Sequence, residues 1–261
     1  MIILRHELRQ GRCALALWTG IIAFMLGICV LIYPEMESQM SEVSGMFADM
    51  GGFSAAFGMD RINFGEFMGY FGVECGNILG LGGSFFAALL GISALAKEEK
   101  EQTAEFLLSH PVSRKEVVME KFLGVIFQIV LLNAAVFCVT VLAAWMVGES
   151  LDYKILVLLF LAYFLLQVET AALCFGVSAF ISRGSLGIGL GLAALFYFLN
   201  IIANLTEKAK FLKYITPFGY AEGADIIADG GIDGRYLAVG MVFAAAGAAA
   251  AFYKYVRKDI A

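Results

Sequence analysis

Glu169 is the one charged residue inside the six long apolar runs of this chain, and Gln167 and Thr170 stand beside it. An ionised carboxylate at a bilayer centre costs about 2.5–3.5 kcal/mol on insertion scales, so it must face the interior of a helix bundle or take up a proton. Gln128 and Asn133 in the third run and Asn200 in the fifth are its candidate hydrogen-bond partners. Two readings stay open for this acid: a substrate contact or proton-linked switch, and a buried polar clamp between helices.

Other residues with reactive side chains do not assemble into a centre. His6 and His110 have no second ligand at metal spacing. The Glu98–Glu99 pair hints at a membrane protease, but no histidine lies within an apolar run to complete a metal site. Six methionines between 34 and 70 raise a soft-metal site. With no His or Cys among them, adaptable packing against phenylalanines fits better. A phosphate-cradling Walker A loop needs Gly-Lys followed by Ser or Thr, and no Gly-Lys dipeptide occurs. The five cysteines (13, 29, 75, 138 and 174) show no pairing pattern and read as buried free thiols. The chain therefore reads as no enzyme and as binding no cofactor or metal of its own.

The elements that carry these residues follow from hydropathy. The chain is 61% hydrophobic and 16% charged over 261 residues, where a soluble domain carries about 25% charge. Its apolar residues fall in runs near 13–33, 75–96, 122–147, 155–182, 186–205 and 236–253. Each is long enough to cross a hydrocarbon core of about 30 Å. The fold class is all-α: a polytopic membrane protein with six transmembrane helices in a single transmembrane domain over 1–261. The first run follows about a dozen residues with no small-residue cleavage site and reads as a retained span.

Lys and Arg set the orientation. With six spans, both termini share a side with 97–121 and 183–185, and that side holds twelve of the eighteen basic residues. The acidic bias is opposite, with fourteen outside, eight inside and Glu169 within, giving −8 outside and +4 inside. Both termini are expected in the cytoplasm. At the N-terminus, Arg5, Arg9 and Arg12 fall on one face of an amphipathic segment over 2–12, suited to the membrane interface. An outer segment, 34–73, repeats Met36, Met40, Val43, Phe47 and Met50 at helical spacing opposite Glu35, Glu42 and Asp49. Glycines at 72, 76 and 80, at 187 and 191, and in the run AAAGAAAA of the last span form small faces for close helix approach. The outer loop 206–234 is apolar in its middle but broken by Pro217, Gly219 and Gly223, so it reads as a short re-entrant or interfacial segment.

The stretch KEEKEQTAEFLLSHPVSRKEVVMEK at 97–121 is a charged island between two spans. Pro111 ends any preceding helix, and Ser113 with Glu116 forms a capping box for the next. Helix, break and capped helix make a rigid cytoplasmic elbow. The run from Glu101 through Thr103, Glu105, the Leu107–Leu108 pair and Pro111 to Ser113-Arg114 resembles the cytoplasmic loop of type-2 ABC-transporter permeases, with Gln102 where Gly is usual. Pro217-Phe218, Gly231-Ile-Asp233 and the ending Arg257-Lys-Asp-Ile260 resemble further family features in the right order.

That resemblance implies a bacterial cytoplasmic-membrane permease, working as a pair (with a second copy or a paralogue) beside two copies of a separate ABC ATPase. ATP and Mg would sit in that ATPase, and nucleic acid has no part. It implies that Glu101, Thr103, Glu105, Arg114, Lys115 and Glu116 form the ATPase-coupling element, supported by the N-terminal helix with Arg5, Arg9 and Arg12. The implied activity is export of a hydrophobic or amphipathic compound: a drug, an antimicrobial peptide or a lipid. The alternatives are a proton-coupled carrier using Glu169, which would require internal repeats with paired broken helices, and a non-transporting scaffold or sensor of the same fold.

Overall fold

The computed structural model describes residues 2–49 (backbone alone at 2 and over 38–49), 51–63, 65–97, 113–181 and 186–257. Six helices among them are long and apolar enough to cross a membrane: Ile3–Glu37, Phe67–Ala94, Arg114–Val147, Tyr153–Ser178, Leu186–Leu205 and Gly234–Arg257. No strand occurs among the described residues.

Helix α1 spans Ile2–Asp49 as one 48-residue rod, about 72 Å long at 1.5 Å per residue. The sequence reading separates an interfacial segment, a span and an outer segment here; the structure fuses the first two and the start of the third. The isolated glycines 11 and 20 do not break the helix, and Pro34 removes a single ladder bond without ending it. The short α2 (Gly52–Ala56) follows.

The second span begins earlier than position 75. Helix α3 (Phe67–Cys75), a π-helical stretch (Gly76–Leu81) and α4 (Gly82–Ala94) run on from one another. Glu74 therefore lies within the span, so Glu169 is not the only intramembrane acid. Glycines and Glu74 lower the local hydropathy enough to hide the first two turns. The remaining spans match their expected positions closely: α5 (Arg114–Val147), α6 (Tyr153–Ser178), α7 (Leu186–Leu205) and, after the loop, α9 (Gly234–Arg257).

Helix α6 is the hub. Two-thirds (67%) of its most apolar window is buried, against 17% for α9, and α4, α5 and α9 pack around it. Small residues make the approach close: a Cβ on Gly176 of α6 would stand 2.7 Å from the Gly247 carbonyl oxygen of α9. The glycines of the second span serve the same end. Gly76 and Gly80 lie against the Tyr163 ring, and Gly72 lies against Gly223. Gly191 of the fifth span faces open space instead.

Large apolar side chains remain on the outer faces, among them Leu17, Phe24, Leu142, Trp145, Phe198 and Val242, as a bilayer permits when backbone polar groups are satisfied within each helix. Cys75 and Cys174 are buried, but Cys13 and Cys138 are exposed. Those two do not meet the expectation of burial, because an apolar run fixes a residue's depth and not its face.

Between α7 and α9 the chain folds into 3₁₀ turns at Glu207–Tyr214 and Pro217–Gly219 and the helix α8 (Gly223–Asp229). Thr216 through Ala221 are buried. Pro217 sits at the start of its turn, where a missing N–H costs nothing, and the Thr216 hydroxyl accepts from the Phe218 N–H at 3.3 Å. The same hydroxyl donates to the Phe196 carbonyl of α7 at 2.7 Å. The segment is thus stitched onto the bundle.

Candidate functional site

Polar side chains gather at three places: the end of the bundle that carries both termini, the interior of the bundle, and the opposite end. At the terminus-bearing end, Ser113 caps α5. Its hydroxyl accepts from the Glu116 N–H at 3.2 Å, and the Glu116 carboxylate accepts from the Ser113 N–H at 2.8 Å. The capping box read from sequence is present, and it leaves Lys115 and Glu116 exposed. The Arg114 guanidinium reaches the Val256 carbonyl of α9 at 3.5 Å. Arg5, Arg9 and Arg12 lie exposed along α1. Glu101, Thr103 and Glu105 lie outside the described residues.

One residue near the elbow escapes the sequence reading. Lys121, the last charge of the island, is only 1% exposed. Its ammonium donates to Glu7 of α1 and to the Ala94 carbonyl at the end of α4, both at 2.8 Å. Glu120 beside it accepts from the Leu4 N–H at 3.0 Å, satisfying a donor in the first turn of α1 that has no partner within the helix. A buried ammonium held by a carboxylate and a carbonyl ties three helices together. It joins the helix that leads into the 97–113 connection, the helix that leaves it, and α1. The available signal was position: a lysine seven residues into a capped helix, where an apolar face is due.

In the bundle, Glu169 is 1% exposed, and its carboxylate accepts from the Tyr220 hydroxyl at 2.8 Å. None of the three expected partners reaches it. Asn133 donates to Gln167 at 2.6 Å, and Gln167 donates to the Leu79 carbonyl at 3.2 Å. Gln128 donates to Gly124 of its own helix at 3.3 Å. Asn200 donates to Glu222 at 2.7 Å. The reason is helical phase: Gln167 and Glu169 are two residues apart on α6 and face nearly opposite sides. Gln167 meets α4 and α5, while Glu169 meets Tyr220 and Gly240. A tyrosine 51 residues downstream leaves no local trace in sequence.

At the opposite end, Glu222 is held by Asn200 and by Asn204 at 2.8 Å, and Asn204 also donates to the Ala56 carbonyl at 3.3 Å. Asp225 binds Lys213 at 2.8 Å and Arg61, which also lies 3.5 Å from Asp60. Burial works against ionised Asp225, but Lys213 and Arg61 outweigh it and hold the carboxyl below the usual carboxylate range. Burial likewise opposes the Arg61 charge, yet Asp225, Glu222 and Asp60 hold its pKa above the ordinary value. Tyr33 of α1 donates to the Gly65 carbonyl at 2.8 Å. The sequence reading offers none of these residues as a site except Asn200, which it places beside Glu169.

A groove of about 390 Å³ opens between α5 and α6, lined by Val130, Asn133, Ala134, Phe137, Val157, Phe160, Leu161 and Phe164. Asn133 is its single polar side chain. Among the described residues no group of three or more His, Cys, Asp or Glu could hold a metal ion. A sequence model of the family described as ABC-2 family transporter protein matches residues 1–260. Comparison with curated proteins finds no match.

Proposed function

Because the chain belongs to the ABC-2 family of transporter proteins, and so is a multi-pass permease component of an ABC transporter without catalysis of its own, we propose that it exports a hydrophobic or amphipathic compound using ATP hydrolysed by a separate subunit. The 97–121 elbow docks on that ATPase, with Glu101, Thr103, Glu105, Arg114, Lys115 and Glu116 at the contact. Two permease domains, from two copies or a paralogue, work with two ATPases that hold ATP and Mg. Both termini lie in the cytoplasm of a bacterial cell, on the side that carries most of the Lys and Arg.

The observation that carries the coupling role is Lys121. Movement imposed on the elbow passes through its ammonium into the ends of α4, α5 and α1 at once, because it is bonded to Glu7 and to the Ala94 carbonyl, both at 2.8 Å. The exposed Arg5, Arg9 and Arg12 on α1 support docking from the side. The α5–α6 groove supports an apolar cargo: its walls are Val, Leu, Ala and Phe, with one amide for orientation.

Co-purification of the tagged permease with its cognate ATPase tests the reading. Wild type should carry the ATPase through purification, and Glu105→Arg should lose it while the permease stays folded. Equal recovery of ATPase with both proteins would overturn the docking role of the elbow.

A further inference from the structure

We propose that the small cavity between α3, α6, α7 and the turn leading into α8 binds one small monovalent cation, of sodium size. The cavity measures about 30 Å³, room for about one water-sized occupant. Asn77, Tyr163, Tyr197, Asn200 and Glu222 supply its polar lining.

Oxygen acceptors dominate that lining. Glu222, Asn200, Asn77 and Tyr163 all line this one space, and each carries a side-chain oxygen able to accept. Tyr163 is 1% and Asn200 is 6% exposed, yet the Tyr163 hydroxyl and the Asn200 Oδ1 have no hydrogen-bond partner. Buried polar atoms are almost always satisfied, so two such atoms on one cavity point to an occupant. Tyr197 already spends its proton on Asn77, at 3.1 Å.

Charge points the same way. Glu222 is held by two neutral amides, and the nearby cations are bonded elsewhere: Lys213 to Asp225, and Arg61 to Asp225 and Asp60. Arg61 does lie near enough to sense Glu222. A half-buried carboxylate without a contacting cation is costly, and an ion in the cavity offsets it. A single acid among neutral oxygens favours a monovalent ion, since calcium sites draw on several carboxylates and carbonyls.

The backbone makes the space. The lining stretch Gly76–Leu81 winds as a π-helix, a departure frequent at functional positions. A Cβ on Gly76 would stand 3.1 Å, and one on Gly223 2.9 Å, from the Tyr163 hydroxyl. Glycine on both sides admits that oxygen between the elements. An ion here would bind the second, fourth and fifth spans to the turn before α8.

The test is the thermal midpoint of the purified permease in lipid nanodiscs, in sodium, potassium or choline chloride at equal ionic strength. It reads the permease alone and is independent of transport. Sodium at tenfold its Kd should raise the midpoint by about 3–6 °C over choline. Glu222→Gln should abolish the rise. Tyr163→Phe, which keeps the packing, should shift the half-effective sodium concentration upward about tenfold. If Glu222→Gln does not fold, the wild-type and Tyr163→Phe titrations decide. Equal midpoints in all three salts would mean that water fills the cavity and would overturn the proposal. So would an equal rise in potassium, or a sodium response unchanged in Tyr163→Phe.

Discussion

The two ends of the bundle are held in different ways. Opposite the termini, hydrogen bonds and ion pairs overlap: Glu222 has two amides, Asp225 has two cations, and Tyr220 and Thr216 anchor the same turn to α6 and α7. Removing one bond there leaves others spanning the same gap. At the terminus-bearing end, three helices converge on the buried ammonium of Lys121, with Glu120 bonding the Leu4 N–H and Arg114 reaching the Val256 carbonyl beside it. The first end is built as a rigid cap. The second, on the function proposed above, is a joint in which Lys121 relays movement.

The largest expected effect on stability comes from breaking the cap at its half-buried acid. Asn200→Leu leaves Glu222 with a single amide and puts an apolar side chain beside its carboxylate. It should cost about 2–4 kcal/mol, read as a lowered midpoint of thermal unfolding in detergent. Tyr220→Phe removes the donor that faces Glu169 in a site almost closed to water. The cost should be about 1–3 kcal/mol. A wild-type midpoint in this variant would mean that Glu169 does not depend on the clamp.

Asp225→Asn sharpens the comparison through pH. The folded carboxyl is held below its unfolded value, which is about 3.9. Its stabilisation is therefore complete above about pH 4 and is lost as pH falls through the folded pKa. The variant should be less stable at pH 7 by about 1–2 kcal/mol, discounted for partial exposure. It should also show a flatter loss of stability below pH 4, measured by unfolding across pH 2.5–7 with both proteins. The smallest effect belongs to the exposed cap of the joint: Ser113→Ala should cost about 1 kcal/mol, with amide exchange rising in the first turn of α5 and nowhere else.

Much of this molecule was legible in its sequence, and the exceptions share a cause. Runs of apolar residues gave the number of spans, because the cost of burying backbone polar groups in lipid leaves helices as the local solution. The Ser113–Glu116 cap was legible because both partners lie within one turn. Long-range pairing was not legible. Glu169 with Tyr220, Glu7 with Lys121 and Asn200 with Glu222 each depend on how helices rotate against one another, and Gln128 and Asn133 fall on other faces. The continuous α1 was missed because Pro34 and a change from basic to apolar residues resemble boundaries. In a helix this long they mark only a change of surroundings. The start of the second span was missed because glycines that serve close packing lower the same hydropathy that identifies a span.

The joint is tested most directly by Lys121→Met in the complex reconstituted with its ATPase in liposomes. Methionine keeps the length and apolar stem of the side chain and removes the ammonium that bonds Glu7 and Ala94. The account predicts that the complex still assembles and still hydrolyses ATP, while transport per ATP falls at least about tenfold, equivalent to about 1.4 kcal/mol of lost coupling. Transport per ATP equal to wild type, in a complex that assembles normally, would contradict it.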